Sequence, residues 1–274
     1  MPTVSDSLFE PDDDGWFHPT GLGRGPWSPH ALHGGPVAAL VAQRAEAALA
    51  ATGAPAVEPV RLTIGLDRPV PLAPLRVEAT IVRPGKKVLI AAVTVHDEAG
   101  TALVRAEVLA IRRAPIPLPP DTRLPDDPAL PAPAVGESEA PWRGFGDDVE
   151  VFHADGVEHR YVSGSFLRLG PATDWIRLRH PVLPGIEPSP FQRTVAAADF
   201  TNGISGVLPF GEWRFINPDL TVTIHRTPVG DHIGVDAVTR IDRDSGIGTA
   251  EATLHDERGR IGRAVQTLLV EPVG

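Results

Sequence analysis

The chain has 274 residues, 42% of them hydrophobic, and a formal net charge of −10, which is enough apolar content for one large domain or two ordinary ones. The acidic balance argues against nucleic acid or an anionic membrane as a partner, because phosphate binding needs a basic face. With no cysteine, disulfides, thiolate nucleophiles and thiolate metal sites are excluded.

The N-terminus, MPTVSDSLFEPDDDGWF, carries acids and a Trp where a signal peptide has a basic start and an apolar run. No stretch of about 18 apolar residues follows, so the expectation is a cytoplasmic protein without membrane insertion. GLGRGP, residues 21–26, does not follow a strand pattern and is no dinucleotide loop. Next, HGGPVAALVAQRAEAALA, residues 33–50, opens with glycines and a Pro and continues in strong helix formers, which predicts one long helix. Residues 60–70, 75–85, 87–100 and 102–113 are rich in β-branched side chains and are punctuated by Pro, Gly and an Asp-Glu-Ala-Gly turn, so they read as consecutive antiparallel strands.

Residues 114–145 are dense in proline and mark an extended connector. Beyond it the plan repeats, with a helix predicted over 193–208 and strands over 215–225, 232–241, 248–255 and 261–270. Leu62-Thr63-Ile64-Gly65-Leu66-Asp67-Arg68 matches Leu220-Thr221-Val222-Thr223-Ile224-His225-Arg226 at an offset of 158 residues, and His96-Asp97-Glu98 matches His255-Asp256-Glu257 at 159. This is an internal duplication. It predicts an α+β fold of two units, residues 1–113 and 146–274, each a long helix wrapped by a curled antiparallel sheet.

Two polar residues stand out in the second unit. Gln266 lies in the last strand, where alternation puts it on one face with Ala264, Leu268 and Val270, and burying an amide without partners costs a few kcal/mol. Its bland reading is a structural amide, and at an offset of 159 the first unit offers Glu107 at the matching place. Asp199 follows Thr194-Val195-Ala196-Ala197-Ala198 within the helical run. Its bland reading is an N-cap for a helix starting at Phe200, against which the helix-forming residues upstream argue.

The HGG motif at the first helix, AAADFTNGISGVL, FINPDLTVTIHR and RGRIGRAVQTLLVEP resemble the double hot-dog acyl-CoA thioesterases of type II. The resemblance spans all but the acidic N-terminus and the connector. It implies two tandem hot-dog units, an acyl-CoA substrate drawn from fatty acid metabolism, no metal or redox cofactor, and an active site in the second unit. There a helix Asp, a strand Gln and a hydroxyl hold the attacking water. Carried over, the Asp is Asp199 and the Gln is Gln266. The hydroxyl position falls at Asn217, a departure from the family pattern, with Thr221 four residues on as a substitute hydroxyl.

His33-Gly34-Gly35 also resembles the helix entry of the single hot-dog thioesterases, which implies that backbone N–H groups at Gly34 and Gly35 bind substrate by polarising its thioester carbonyl, against the bland reading of a glycine turn with His33 as a polar neighbour. Where smaller hot-dog enzymes carry an acid on this helix, the comparable residues are Val41-Ala42-Gln43, so the first unit is expected to be scaffold and pocket wall. Lys86 and Lys87, in a hairpin turn, could grip coenzyme A phosphates, although such residues are more often a solvated surface. The histidines show no metal-binding spacing, and Ser205 lacks the context of a nucleophile elbow. Pairing of hot-dog sheets makes a homo-oligomer compatible with the fold. Two rivals remain. One is a non-catalytic protein that binds acyl thioesters or serves as an assembly module, kept open by Asn217. The other is a hydratase, which needs a His and Asp pair that no single helix here carries.

Overall fold

The computed structural model describes residues 6–54, 56–125, 128–133, 136, 144–146 and 148–273. A short hairpin, β1 (Phe9–Pro11) and β2 (Trp16–Pro19), precedes helix α1 (Gly34–Ala51). Ala38, Ala39, Ala42 and Ala45 are buried, and their small side chains let the sheet pack closely on the helix. Four strands follow: β3 (Val57–Leu66), β4 (Leu75–Arg83), β5 (Val88–His96) and β6 (Ala102–Arg112). Every second residue of β5, from Leu89 to Val95, is buried, as expected of strands with one face on a core.

These strands are not a simple meander. β4, β5 and β6 pair in turn, but β3 pairs with β6 and not with β4. The connector after β3 contains Pro69, Pro71 and Pro74, which cannot close a tight hairpin and instead carry the chain across the helix.

The second half contains β7 (Val157–Ser165), β8 (Arg168–Leu178), α2 (Pro190–Ala198), α3 (Phe200–Ile204), β9 (Trp213–Ile216), β10 (Asp219–Ile224), β11 (Ile233–Asp242), β12 (Ile247–Asp256) and β13 (Gly259–Pro272). The predicted single helix is two, broken at Asp199. Strands β1, β2, β7 and β8 lie outside the predicted set. Charged residues mask the last two: His159 and Asp174 are buried within them, paired Nδ1 to Oδ2 at 2.5 Å. The predicted connector includes residues 126–127, 134–135 and 137–143, which lie outside the described residues. Its Pro131 carbonyl accepts a hydrogen bond from Trp175 Nε1 at 2.8 Å.

The thirteen strands of the described residues form one sheet, ordered β1-β2-β4-β5-β6-β3-β10-β13-β12-β11-β8-β7 with β9 paired to β13. The order reads alike outward from its centre, where β3 and β10 run antiparallel with Thr63 opposite Thr221. The duplication is therefore a pseudo-two-fold, and it corrects one alignment. Thr63 faces Glu107 where Thr221 faces Val265, so Glu107 matches Val265, and Gln266 matches the buried Val108. The closing hairpin is one residue shorter in the second half, with Val95 opposite Val104 but Leu254 opposite Gly262. That shortening returns the offset from 159 to 158. A polar side chain at this inward position belongs to the second unit alone.

Each end of the β3–β10 pair holds a junction between one helix and the start of the other. At one end Glu46 of α1 accepts hydrogen bonds from Ser189 Oγ at 2.7 Å and Gln192 Nε2 at 2.6 Å, beside a cavity of about 380 Å³ with aliphatic residues such as Leu49 and Ile224 in its walls. Burial raises the Glu46 pKa above the ordinary carboxylate value and outweighs the two hydrogen bonds, which lower it. No helix among the described residues is long and apolar enough to cross a membrane.

A raised pKa means that the folded state favours neutral Glu46, so its contribution to stability is full at low pH and is lost as pH climbs through the raised value. Urea unfolding of wild type and Glu46→Gln from about pH 4 upward should show the variant gaining on wild type with rising pH. A difference that stays constant with pH would show that Glu46 does not titrate this way.

Candidate active site

At the other end of the β3–β10 pair lies the break in the second helix. Ser189 caps α2 and Pro190 occupies its first turn, both favoured there. Asp199 keeps helical angles, φ −67° and ψ −18°, but its side chain makes no capping bond to α3. Side chains take over the local backbone groups. Thr201 Oγ1 donates to the Ala198 carbonyl at 2.7 Å, and Gln266 spans the break. Its Oε1 accepts from Asn202 N at 3.1 Å, while its Nε2 donates to the Asp199 carbonyl and to Asp199 Oδ1, both at 3.2 Å. These partners allow only one orientation of the amide, since both acceptors face Nε2 and the donor faces Oε1. The buried Gln266 thus satisfies groups that the break would leave orphaned.

The Asp199 carboxylate is buried and held from three directions. Asn217, in the turn between β9 and β10, donates Nδ2 to Oδ1 at 3.1 Å, beside the Gln266 bond to the same oxygen. Its other oxygen, Oδ2, lies 2.8 Å from His33 Nδ1. His33 Nδ1 is also 3.1 Å from Gly35 N, and one nitrogen cannot donate to the carboxylate and accept from the amide at once. With Asp199 ionised the proton sits on Nδ1 toward Oδ2, and the Gly35 N–H is released from the imidazole.

The glycines permit this contact. A Cβ on Gly34 would lie 2.7 Å from Asp199 Oδ1 and 2.8 Å from Oδ2, and one on Gly35 would meet Phe152 at 2.8 Å and the Ala196 carbonyl at 2.9 Å. Any side chain at either position would push the helices apart. The site is therefore composite: the first half supplies His33, Gly34 and Gly35, and the second supplies Asp199, Asn217 and Gln266.

Asp199, Asn217, Gln266, Gly34 and Gly35 are brought together, and three other predicted residues are not. Thr221 pairs with Val265, which is 44% exposed, and cross-strand partners share a face, so Thr221 points away from the side that carries Gln266. Lys86 and Lys87 sit at the far end of the sheet. Val88 pairs with Ile111, which pairs with Glu58, eight residues along β3 from Leu66 at the site, or roughly 25 Å at strand spacing.

Asp199 opens onto a cavity of about 670 Å³, lined also by His33, Gly34 and Asn217. Arg68 and Arg214 line it as well, and both are exposed, which makes them the basic groups at its mouth. The sequence reading missed these two arginines and the pairing of His33 with Asp199. The HGG motif was the available signal, but its partner lies 166 positions away in the other half.

An open antiparallel sheet packed on helices, with an acid at the junction of two related halves, defines a hot-dog protein whose site faces an apolar cavity. The sequence matches the family model for the acyl-CoA thioesterase N-terminal domain over residues 23–112 and that for the C-terminal domain over 125–270. The chain belongs to this acyl-CoA thioesterase family. Its fold is similar to that of a proposed thioesterase II from Thermobifida fusca, with TM-score 0.70 and 16% identity over 97% of this chain and 96% of that one. It is also similar to a hot-dog protein of unknown function from Alicyclobacillus acidocaldarius, with TM-score 0.67 and 17% identity over 98% and 97%. A tesB protein from Mycobacterium avium subspecies paratuberculosis aligns with TM-score 0.66 and 16% identity over 96% of each chain. No curated protein matches the sequence.

Replacing Gln266 with Leu would leave Asn202 N–H and the Asp199 carbonyl buried without their amide partner. At about 1–3 kcal/mol for each orphaned group, Gln266→Leu should lower the unfolding free energy by about 2–6 kcal/mol in urea titration. An unchanged midpoint would mean that the break closes without the amide.

Proposed function

We propose that the protein hydrolyses an acyl-CoA thioester to a free acid and coenzyme A, as a double hot-dog with units at residues 1–113 and 146–274 and one working site. The observation that carries this reading is the buried Asp199 carboxylate, held by His33, Asn217 and Gln266 at an apolar cavity in a chain of this family. Asp199 takes a proton from a water as its oxygen attacks the thioester carbon. Asn217 and Gln266 keep the carboxylate fixed, so Asn217 fills the hydroxyl position with an amide. The oxyanion is received by the first N–H groups of α1, at the positive end of the helix, which His33 leaves free when its proton is turned to Asp199. Collapse of the intermediate breaks the carbon–sulfur bond, and the proton passes from Asp199 to the departing thiolate. Arg68 and Arg214, not Lys86 and Lys87, meet the phosphates of coenzyme A at the mouth.

The His33–Asp199 contact also favours a second reading. A hydratase needs a His and Asp pair facing the substrate, and here two helices supply one although neither holds both.

Thiol release from a panel of acyl-CoAs, acetyl to palmitoyl, separates the readings. Asp199→Asn should reduce kcat/KM by about 10²–10⁴-fold, the usual worth of a general base, and Gly34→Ala should also be impaired because its methyl group displaces the carboxylate. Equal rates in wild type and Asp199→Asn would remove Asp199 from the mechanism. Loss of the double bond of crotonyl-CoA without thiol release would put hydration in place of hydrolysis, and binding without either reaction would indicate a binding module.

A further inference from the structure

The cavity at Asp199 has a wall of rings. Trp27, Phe166, Phe200, Phe210 and Phe215 line it, four of them from the nine phenylalanines of a chain that is only 5% aromatic. The rings are continuous from mouth to reacting centre. Trp27, 41% exposed at the rim, stacks on Phe210 at 5.8 Å. Phe210 stacks on Phe166 at 5.4 Å with planes 8° apart, and Phe166 on His153 at 6.0 Å with planes 3° apart. His153 meets His33 at 6.5 Å, and His33 meets Phe200 at 4.8 Å. His33 is the ring of this series that touches Asp199.

The fold does not require this wall. The pseudo-symmetric cavity beside Glu46 has a single aromatic residue, Phe191, among aliphatic walls. The two cavities arise from one duplicated plan, so the rings belong to what the Asp199 cavity holds. Linear acyl chains pack as well on Leu and Val as on Phe, and they lose rotational freedom at every bond on binding. A flat ring loses little freedom and gains the offset-stacked and edge contacts that aromatic faces offer at these spacings.

Resting on the thioesterase reading, we infer that the acyl group is an arylacyl group, a planar ring joined to the thioester carbonyl by a short chain. The ring packs on Phe166 and Phe210, inward of the Trp27 rim, while the carbonyl reaches Asp199. The step is the hydrolysis already described, with water adding hydroxide to the acyl carbon and a proton to sulfur.

The test compares kcat/KM for phenylacetyl-CoA, cyclohexylacetyl-CoA and octanoyl-CoA by thiol release, since the first two differ little in size but only one is flat and aromatic. Wild type should prefer phenylacetyl-CoA over its saturated analogue by about tenfold, as one or two aromatic contacts are worth. Phe210→Leu and Phe166→Leu should bring that ratio toward one, with folding followed by thermal melting. A ratio near one in wild type, a tenfold preference for octanoyl-CoA, or variants that slow all three substrates in parallel would overturn the inference. Absence of thiol release from every substrate would count against hydrolysis instead. The ring preference would then be read from calorimetric Kd values of phenyl and cyclohexyl thioether analogues of coenzyme A, and equal values would overturn it.

Discussion

The contact between the Asp199 carboxylate and the start of α1 is the constraint on which the rest of this structure depends. It joins the two halves at a point where a carboxyl group is buried, and such a group survives burial only with its oxygens satisfied. His33 serves one oxygen and two amides serve the other. The approach is possible because Gly34 and Gly35 have no side chains to collide with the carboxylate and the facing helix. The same contact explains the helix break. A continuous helix would use its backbone groups internally, whereas here Gln266 binds the freed ones on either side of Asp199 and steadies the carboxylate.

Duplication made two such junctions, and they have diverged in opposite directions. At the Glu46 end the acid meets the cap of α2, a serine, in a small aliphatic cavity, and the contact ties the two helices together. At the Asp199 end the cap is a histidine, the neighbouring positions are glycine, and the cavity is larger, ringed and flanked by Arg68 and Arg214. The inward position of the last strand is Val108 in one half and Gln266 in the other, although Glu107 in the linear sequence suggests a shared polar site. One framework thus carries a small aliphatic junction and a larger, ring-lined one.

The acidic balance of the whole chain and the basic mouth of the cavity are compatible because charge acts locally. A net charge of −10 disfavours broad polyanionic surfaces, but two arginines beside an apolar cavity are enough to orient a small anionic ligand. This is why composition alone argued against nucleic acid and yet left room for a phosphate-bearing substrate.

By itself the sequence determined the periodic features: the long first helix, the principal strands, the duplication, and the inward face of Gln266 among Ala264, Leu268 and Val270. Each is local or repeats at a constant offset, so linear spacing records it. Asp199 stood out for the same reason, as an acid within an apolar run. Only the tertiary structure decided that β3 pairs with β6 and β10, that the second helix breaks, and that Thr221 faces away while His33 faces in. Those outcomes depend on contacts between residues far apart in the chain. Strand register, set by such pairing, turns a side chain to the opposite face with a shift of one residue. Lys86 and Lys87 were attractive as basic residues in a turn, but which end of a ten-residue strand a turn occupies is a matter of pairing, and pairing put them far from the carboxylate.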